Sequence, residues 1–398
     1  MLRVLTLSTL FPDVTRPTFG IFVERQTLGL AALPDVAVEV VAPIGLPPGP
    51  LARMSRWRAL NHLPTQEPWK GLVVHRPRFP VLPGLGVFNP RAMAGALLPL
   101  LHRIRHRFPF DVIDAEFFFP DGPAAIRLGE ALGVPVSIKA RGADIHHWGR
   151  QMLTRGEVRR AGQAAAGLLA VSAALKADMG ALGLPEERIR VHYTGVDLAR
   201  FRPASDRNAA KAALRVRGPL LLSVGALIAR KGHALVIEAM TRLPDATLMI
   251  AGQGPERATL ETLIATRGLG ERVRLLGAQP HEALPALTAA ADVGVLASAS
   301  EGLANAWVES LACGTPLVIS DVGGALELID RPEAGRIVAR NPDAIAQGVM
   351  ETLAASPDPA AVRATAERFT WEANAHALRD HLAGLVMAAQ PREAVEAF

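Results

Sequence analysis

The sequence predicts an α/β protein made of two Rossmann-like domains with parallel sheets. Short apolar runs alternate with Ala- and Leu-rich helical stretches through both halves of the chain. The runs are continuously apolar, as strands covered by helices on both faces are. A length of 398 residues suits two domains of ordinary size. Two such alternating series in tandem give a two-domain α/β architecture.

The expected strands of the first half are Arg3–Leu7, Val36–Val41, Val112–Ala115, Val134–Lys139 and Gly167–Val171. Those of the second half are Pro219–Val224, Thr247–Ala251, Val273–Leu276, Val293–Leu296 and Pro316–Ile319. Between the halves, Gly195–Asp206 carries turn formers before a helix opening at Asn208. Pro43–Pro50 reads as a Pro/Gly loop, and Arg91–Phe108 as a basic helix kinked at Pro99.

Composition narrows the function. Hydrophobic residues make up 49% and charged residues 20%, so a core is well supplied. The single cysteine, Cys313, allows no internal disulfide and reads as packing at a helix end. Met1–Ser8 reads as a buried first strand, not a signal peptide. No run approaches 18 apolar residues. A soluble cytoplasmic protein is expected, peripheral at most on the inner face of a membrane.

Charge is uneven. Residues 1–200 hold 24 of the 43 Lys and Arg but 16 of the 38 Asp and Glu, a net of +8 within the overall +5. Segment 51–108 has ten basic residues against Glu67 alone. Such a surface favours anionic partners, and an anionic membrane surface is the expectation here. Nucleic acid is not expected, because a chain with one Tyr lacks interleaved aromatics and no standard motif occurs.

Four segments could carry chemistry. Ser298-Ala299-Ser300-Glu301-Gly302-Leu303-Ala304 follows a strand and enters a helix bearing Glu309. Ser223-Val224-Gly225-Ala226 leads to Arg230-Lys231-Gly232, a turn that can bring N–H groups and cations to a diphosphate. Ala251-Gly252-Gln253-Gly254 permits close approach, but Arg257 breaks the dinucleotide fingerprint. Thr18-Phe19-Gly20 follows the first strand. Taken one at a time, solvated glutamates and an exposed cationic turn explain these residues as well. No Walker loop, Asp-x-Asp pair or nucleophile elbow occurs, so neither a metal nor a cofactor is expected. His102 and His106 sit among arginines and read as a solvated face.

Together and in this order, the segments resemble the family 4 glycosyltransferases of the GT-B fold, over nearly the whole chain. Glu301-Gly302 … Glu309 is similar to the family's E-x7-E signature, followed by Gly314-Thr315-Pro316 and Asp321-Val322-Gly323-Gly324. Thr194-Gly195-Val196-Asp197 resembles the domain junction. Phe11-Pro12 … Gly20-Ile21-Phe22-Val23 resembles the opening of bacterial cell-surface polysaccharide members. The resemblance implies two sheets facing across a cleft. It places an acceptor-side domain at 1–200, a nucleotide-sugar domain at 201–370 and a closing helix at 371–398.

The resemblance also implies roles. Glu309 would hold the donor ribose. Glu301, Gly302, Leu303 and Ala304 would meet the sugar and phosphate. Lys231, with Arg230, Gly225 and Gly20, would serve the diphosphate, and Gly252 and Gly277 the base. Arg141 and Asp144 would lie on the acceptor side, with Glu301, Lys231 and Arg141 taking part in catalysis. The implied reaction is retaining transfer to a glycan or lipid-linked acceptor. Two positions depart from the family: Ala226 where Arg is common, and Arg141 where His is common. An Arg cannot act as a base but can bind an anion. A nucleotide-sugar epimerase, a phosphorylase or a non-catalytic scaffold on the same fold are the alternatives.

Overall fold

A computed structural model describes residues 1–81 and 86–390. The chain forms two compact units, Met1–Tyr193 with the C-terminal segment from Trp371, and Thr194–Thr370. Each has a parallel sheet of its own.

The first unit contains β1 (Leu2–Leu7), β2 (Val36–Val41), β3 (Ile44–Leu46), β4 (Gln66–Trp69), β5 (Leu72–His75), β6 (Arg78–Pro80), β7 (Val112–Ala115), β8 (Val136–Ala140), β9 (Gly167–Ala170) and β10 (Ile189–Val191). Eight of them build one sheet in the order β10-β9-β8-β7-β1-β2-β5-β4. All neighbours are parallel except β4 with β5. Every residue of β7, β8 and β9 is buried, the polar Asp114, Ser137 and Lys139 included.

Segment 44–80 departs from the sequence expectation. Within the expected Pro/Gly loop, Ile44–Leu46 pairs with Arg78–Pro80 as a small two-stranded sheet. β4 and β5 form a hairpin whose two turn residues, Lys70 and Gly71, both have positive φ. That is the primed turn that matches strand twist, here without the usual Asn-Gly.

Part of the basic face expected over 51–108 is spent inside the unit, while Arg58, Arg91 and Arg103 are exposed. Arg76 is buried, its Nε donating to Glu67 (2.5 Å) and its Nη2 to the Pro12 carbonyl (2.7 Å). Arg78 donates to the Arg76 and Leu63 carbonyls, and Arg105 to the Leu132 carbonyl. Arg107 is paired with Glu39 (2.5 Å). On the helix Asn89–Arg107, Leu97, Leu101 and Ile104 face the core, while Pro99 is exposed. The side chains of Arg53 and Arg56 lie outside the described residues.

The helix Trp371–Ala389 packs on the first unit. Leu378 and Leu382 join a core cluster with Val4, Leu30, Val112 and Leu169. Asn374 Nδ2 donates to the Tyr193 carbonyl (2.6 Å), and Arg379 pairs with Asp35 (2.8 Å). The last residues of the expected closing segment, 391–398, lie outside the described residues.

The second unit contains β11 (Leu220–Val224), β12 (Thr247–Ala251), β13 (Val273–Gly277), β14 (Val293–Leu296), β15 (Leu317–Ser320) and β16 (Gly335–Val338). The order is β13-β12-β11-β14-β15-β16, all parallel. In both sheets the chain works outward along one side, then returns to the middle and works along the other. The reversal falls between β1 and β7 in the first unit and between β11 and β14 in the second. Open α/β sheets bind ligands outside the strand carboxyl ends at such points.

Candidate active site

In the second unit the loops after β11 and β14 meet at the reversal point. Gly232 comes so close to the Ala297 carbonyl that a Cβ would lie 2.0 Å from its oxygen, and its φ of +71° is left-handed. Glycine alone fits both conditions. The Ala299 N–H donates to the Arg230 carbonyl (2.8 Å), fastening the two loops.

That fastening brings charge together. Lys231 Nζ donates to Glu301 Oε1 at 2.5 Å, and Ser298 Oγ donates to the same oxygen at 2.6 Å. Arg230 Nη1 donates to the Ser300 carbonyl and stands 3.7 Å from Glu301 Oε2. Glu301 is buried among these partners. Two cations and one carboxylate therefore leave a surplus positive charge at the strand ends. His233 donates from Nε2 to the Ala226 carbonyl (3.2 Å), and its Nδ1 faces Ser223 Oγ (3.1 Å). Burial holds its pKa down at about 4.

The predicted glycines make the adjoining floor. A Cβ on Gly252 would lie 1.8 Å from the Gly225 carbonyl oxygen, and the Gly252 N–H donates to the Gly277 carbonyl (2.8 Å). The Gly302 carbonyl accepts from the Gly324 N–H (2.7 Å), and Leu303 is buried. Ala304 directly precedes the helix Asn305–Ala312. The first N–H groups of a helix have no partner within it and favour an anion.

Glu309 lies within that helix. Its Oε1 is 2.9 Å from His281 Nε2, and the His281 ring meets Phe201 edge-on at 5.4 Å. Ser298 opens the segment that the sequence singles out, whereas His281 is a partner it does not reveal. Only a search for polar residues after β13 would have found it. Cys313 ends the helix, buried, its thiol pushed up by burial to about 12, which keeps it an unreactive packing residue.

Gly20, Arg141 and Asp144 belong to the first unit. Gly20 has φ +69° and precedes the helix Ile21–Ala31, packed against the Leu10 carbonyl. Asp144 is fully buried and accepts from the N–H groups of Phe118, Arg141, Gly142 and Ile145 at 2.8–3.1 Å. Its oxygens hold the turn that carries Arg141. Among the described residues, no three His, Cys, Asp or Glu side chains are grouped to hold a metal ion.

Comparison with known proteins decides the family. Residues 23–200 match the description Glycosyltransferase Family 4, and residues 205–369 match Glycosyl transferases group 1. The chain belongs to the family 4 glycosyltransferases.

This glycosyltransferase is 27% identical over 359 residues to the putative teichuronic acid biosynthesis glycosyltransferase TuaC of Bacillus subtilis (strain 168). That match covers 87% of this chain and 88% of TuaC. It is 32% identical over 238 residues to a GDP-mannose-dependent alpha-(1-6)-phosphatidylinositol monomannoside mannosyltransferase of Mycolicibacterium smegmatis. There the match covers 56% of this chain and 61% of the relative, less than two thirds of its length. In fold, the glycosyltransferase resembles the sucrose-phosphate synthase of Thermosynechococcus elongatus. The TM-score is 0.78 at 22% identity, over 98% of this chain and 100% of the other. The fold is GT-B.

Proposed function

We propose that this glycosyltransferase moves a sugar, with retention, from a nucleotide-diphosphate-sugar to a glycan or lipid-linked acceptor in cell-surface polysaccharide synthesis. The observation that carries the donor assignment is the Lys231–Glu301 contact at the reversal point of the second sheet, with Glu309 on the helix that follows. The likeness to TuaC, a putative teichuronic acid biosynthesis glycosyltransferase, and to the GDP-mannose-dependent mannosyltransferase supports the acceptor class and the donor class.

The chemistry follows from the charges. Glu309, oriented by His281, accepts hydrogen bonds from the ribose hydroxyls. Lys231 and Arg230, with the N–H groups around Ala304, receive the diphosphate. Negative charge grows on that group as the bond from the anomeric carbon breaks, so stabilisation there lowers the barrier. Glu301 stands by the sugar as positive charge develops on its ring. The acceptor hydroxyl forms the new bond, and its proton can go to the departing phosphate oxygen. A nucleotide-release screen across common nucleotide-sugars tests the reading. Release from one donor, raised by added acceptor, is the expected result. Donor turned over to an epimer with no nucleotide released would favour the epimerase.

A membrane surface fits as the place where the acceptor is met. Leu51 and Met54 are exposed beside the exposed Arg58, around the helix Ser55–Asn61. Apolar side chains beside cations suit a headgroup boundary. Among the described residues no helix is long and apolar enough to cross a membrane. Flotation with anionic vesicles should recover the protein at low salt, and the double change Leu51→Ser with Met54→Ser should release it. Equal recovery with neutral vesicles would dismiss the membrane role.

A further inference from the structure

At the carboxyl ends of the first sheet, next to its own reversal point, lies a buried polar cluster that the donor chemistry does not use. Glu116 directly follows β7 and Arg141 directly follows β8. Arg141 donates from Nε to the Glu116 carbonyl (2.8 Å) and from Nη2 to the Glu116 carboxylate, with Gln26 Oε1 at 3.5 Å. The guanidinium stacks on the Phe22 ring at 4.6 Å. Its side chain is 10% exposed. Among the described residues no hydrogen bond from Nη1 is present, so the group is clamped on one edge and keeps a spare donor on the other.

Behind it the donors and acceptors interlock. Gln26 donates from Nε2 to the other Glu116 oxygen, and Gln26 Oε1 accepts from Lys139 Nζ. Lys139, wholly buried, also donates to His192 Nδ1 (2.6 Å), and His192 Nε2 donates to the Asn374 carbonyl (2.9 Å). His192 is thereby neutral, with its proton on Nε2. Glu116 stays ionised: burial works against it, but Arg141 and Lys139 carry it down to about 2. Burial and the Glu116 charge hold neighbouring Asp114 well above the usual range, so it stays protonated. One carboxylate thus faces two basic groups. A buried unpaired cation is costly, and an apolar residue at 139 would build the same sheet more cheaply. The open edge of Arg141 is where a compensating anion fits.

We propose that Arg141 binds an anionic group of the acceptor, a phosphate or a carboxylate, and that Glu116, Gln26 and Lys139 are positioning residues that aim it. The acceptor role rests on the transferase reading; the anion site does not. Clamping by Glu116 and Phe22 lets the guanidinium present its free edge without losing rotamer freedom on binding.

The groups facing Lys139 are Asp114, Glu116, Arg141, His192 and His381. Burial, then Arg141, holds Lys139 down at about 7. Burial raises Asp121, which interacts with Glu116, to about 7 as well. His381 lies at about 4 and His192 well below its usual value, so neither changes charge near neutrality. Raising the pH through about 7 removes positive charge at Lys139 and adds negative charge at Asp121. Both changes weaken anion binding.

Guanidinium NMR of the full chain tests this, with inorganic phosphate, glucuronate and glucose as probes. The Arg141 Nε–H signal, assigned by its loss in Arg141→Lys, should shift with phosphate or glucuronate and not with glucose. A response to one anion alone identifies which acid the acceptor carries. Affinity should fall as pH rises through about 7, and Lys139→Met should flatten that profile while thermal melting reports folding. Arg141→Gln should lower glucuronate binding measured by probe-observed NMR, while phosphate can still be held at the Lys231–Arg230 turn. Undiminished glucuronate binding in Arg141→Gln, or no Arg141 shift with either anion, overturns the site. Anion binding with no nucleotide released from any donor overturns the acceptor role and the transferase reading, leaving the site itself standing.

Discussion

At the level of single residues, Glu309 has the clearest consequence. His281 holds one of its oxygens at 2.9 Å, so the carboxylate is oriented before the donor arrives. Hydrogen bonds to a charged group are worth about 1.5–3 kcal/mol each. Glu309→Ala should therefore weaken donor binding roughly ten- to hundredfold, read by calorimetry with the donor found in the release screen. Lys231→Ala should lower turnover as well as affinity, because leaving-group charge grows in the transition state. It also leaves buried Glu301 with Ser298 and the more distant Arg230, so melting must be followed alongside. Wild-type affinity and rate in both variants would place the donor site elsewhere. These residues were readable from their order and spacing along the chain. Most of their partners were not: His281 and the Gln26–Lys139–His192 chain become neighbours only through the fold, at separations from 28 to 113 residues.

Among the elements, the strands with unbroken apolar runs were the legible part. β9, β12 and β14 begin where their sequences place them, and so does β7 despite its Asp114. Burial on both faces leaves little room for polar residues in such strands, which is why composition marks them. β3 to β6 were not legible, because three or four residues are too few to give a period and Lys70-Gly71 is an unusual hairpin turn. The basic helix Asn89–Arg107 was found, but its partners were hidden: carbonyls of Leu132 and the Glu39 carboxylate absorb cations that composition counts as free. The loop after β11 gives an element-scale prediction. Gly232→Ala combines a left-handed φ with a clash against the Ala297 carbonyl. The cost should be at least about 2 kcal/mol, read as a lowered denaturation midpoint. Because Arg230 and Lys231 hang on this turn, donor affinity should fall too. An unchanged midpoint would show that the loop relaxes and that the close approach to β14 is dispensable.

For the whole molecule, two solution conditions separate its parts. Cations of the chain itself stand beside the candidate diphosphate position, so transfer should survive exhaustive chelation. Complete loss, restored by magnesium or manganese, would contradict that. Acidification is more discriminating. In the second unit, buried His233 has a folded pKa of about 4 against an ordinary value of about 6.5. Above the ordinary value both states are neutral and the group contributes no slope. Below it the unfolded chain takes up a proton that the folded unit refuses, so stability falls as pH drops from about 6.5 toward about 4. The full difference corresponds to about 3 kcal/mol at most. The first unit behaves differently. His381, also at about 4, loses stability over the same window. Asp121, raised to about 7, binds its proton in the folded state first and gains stability as pH falls from about 7 toward about 4. His192 is lowered there too, and Asp114 and Asp144 are raised, so losses and gains oppose each other in the first unit, whereas no comparably raised carboxyl accompanies His233 in its unit among the described residues. Calorimetric unfolding between pH about 4 and about 7 should thus show the second unit losing stability more steeply. Changing His233→Gln, which keeps a donor for the Ala226 carbonyl, should flatten that loss. A slope that persists in the variant would assign the acid sensitivity to other groups and remove His233 as its source.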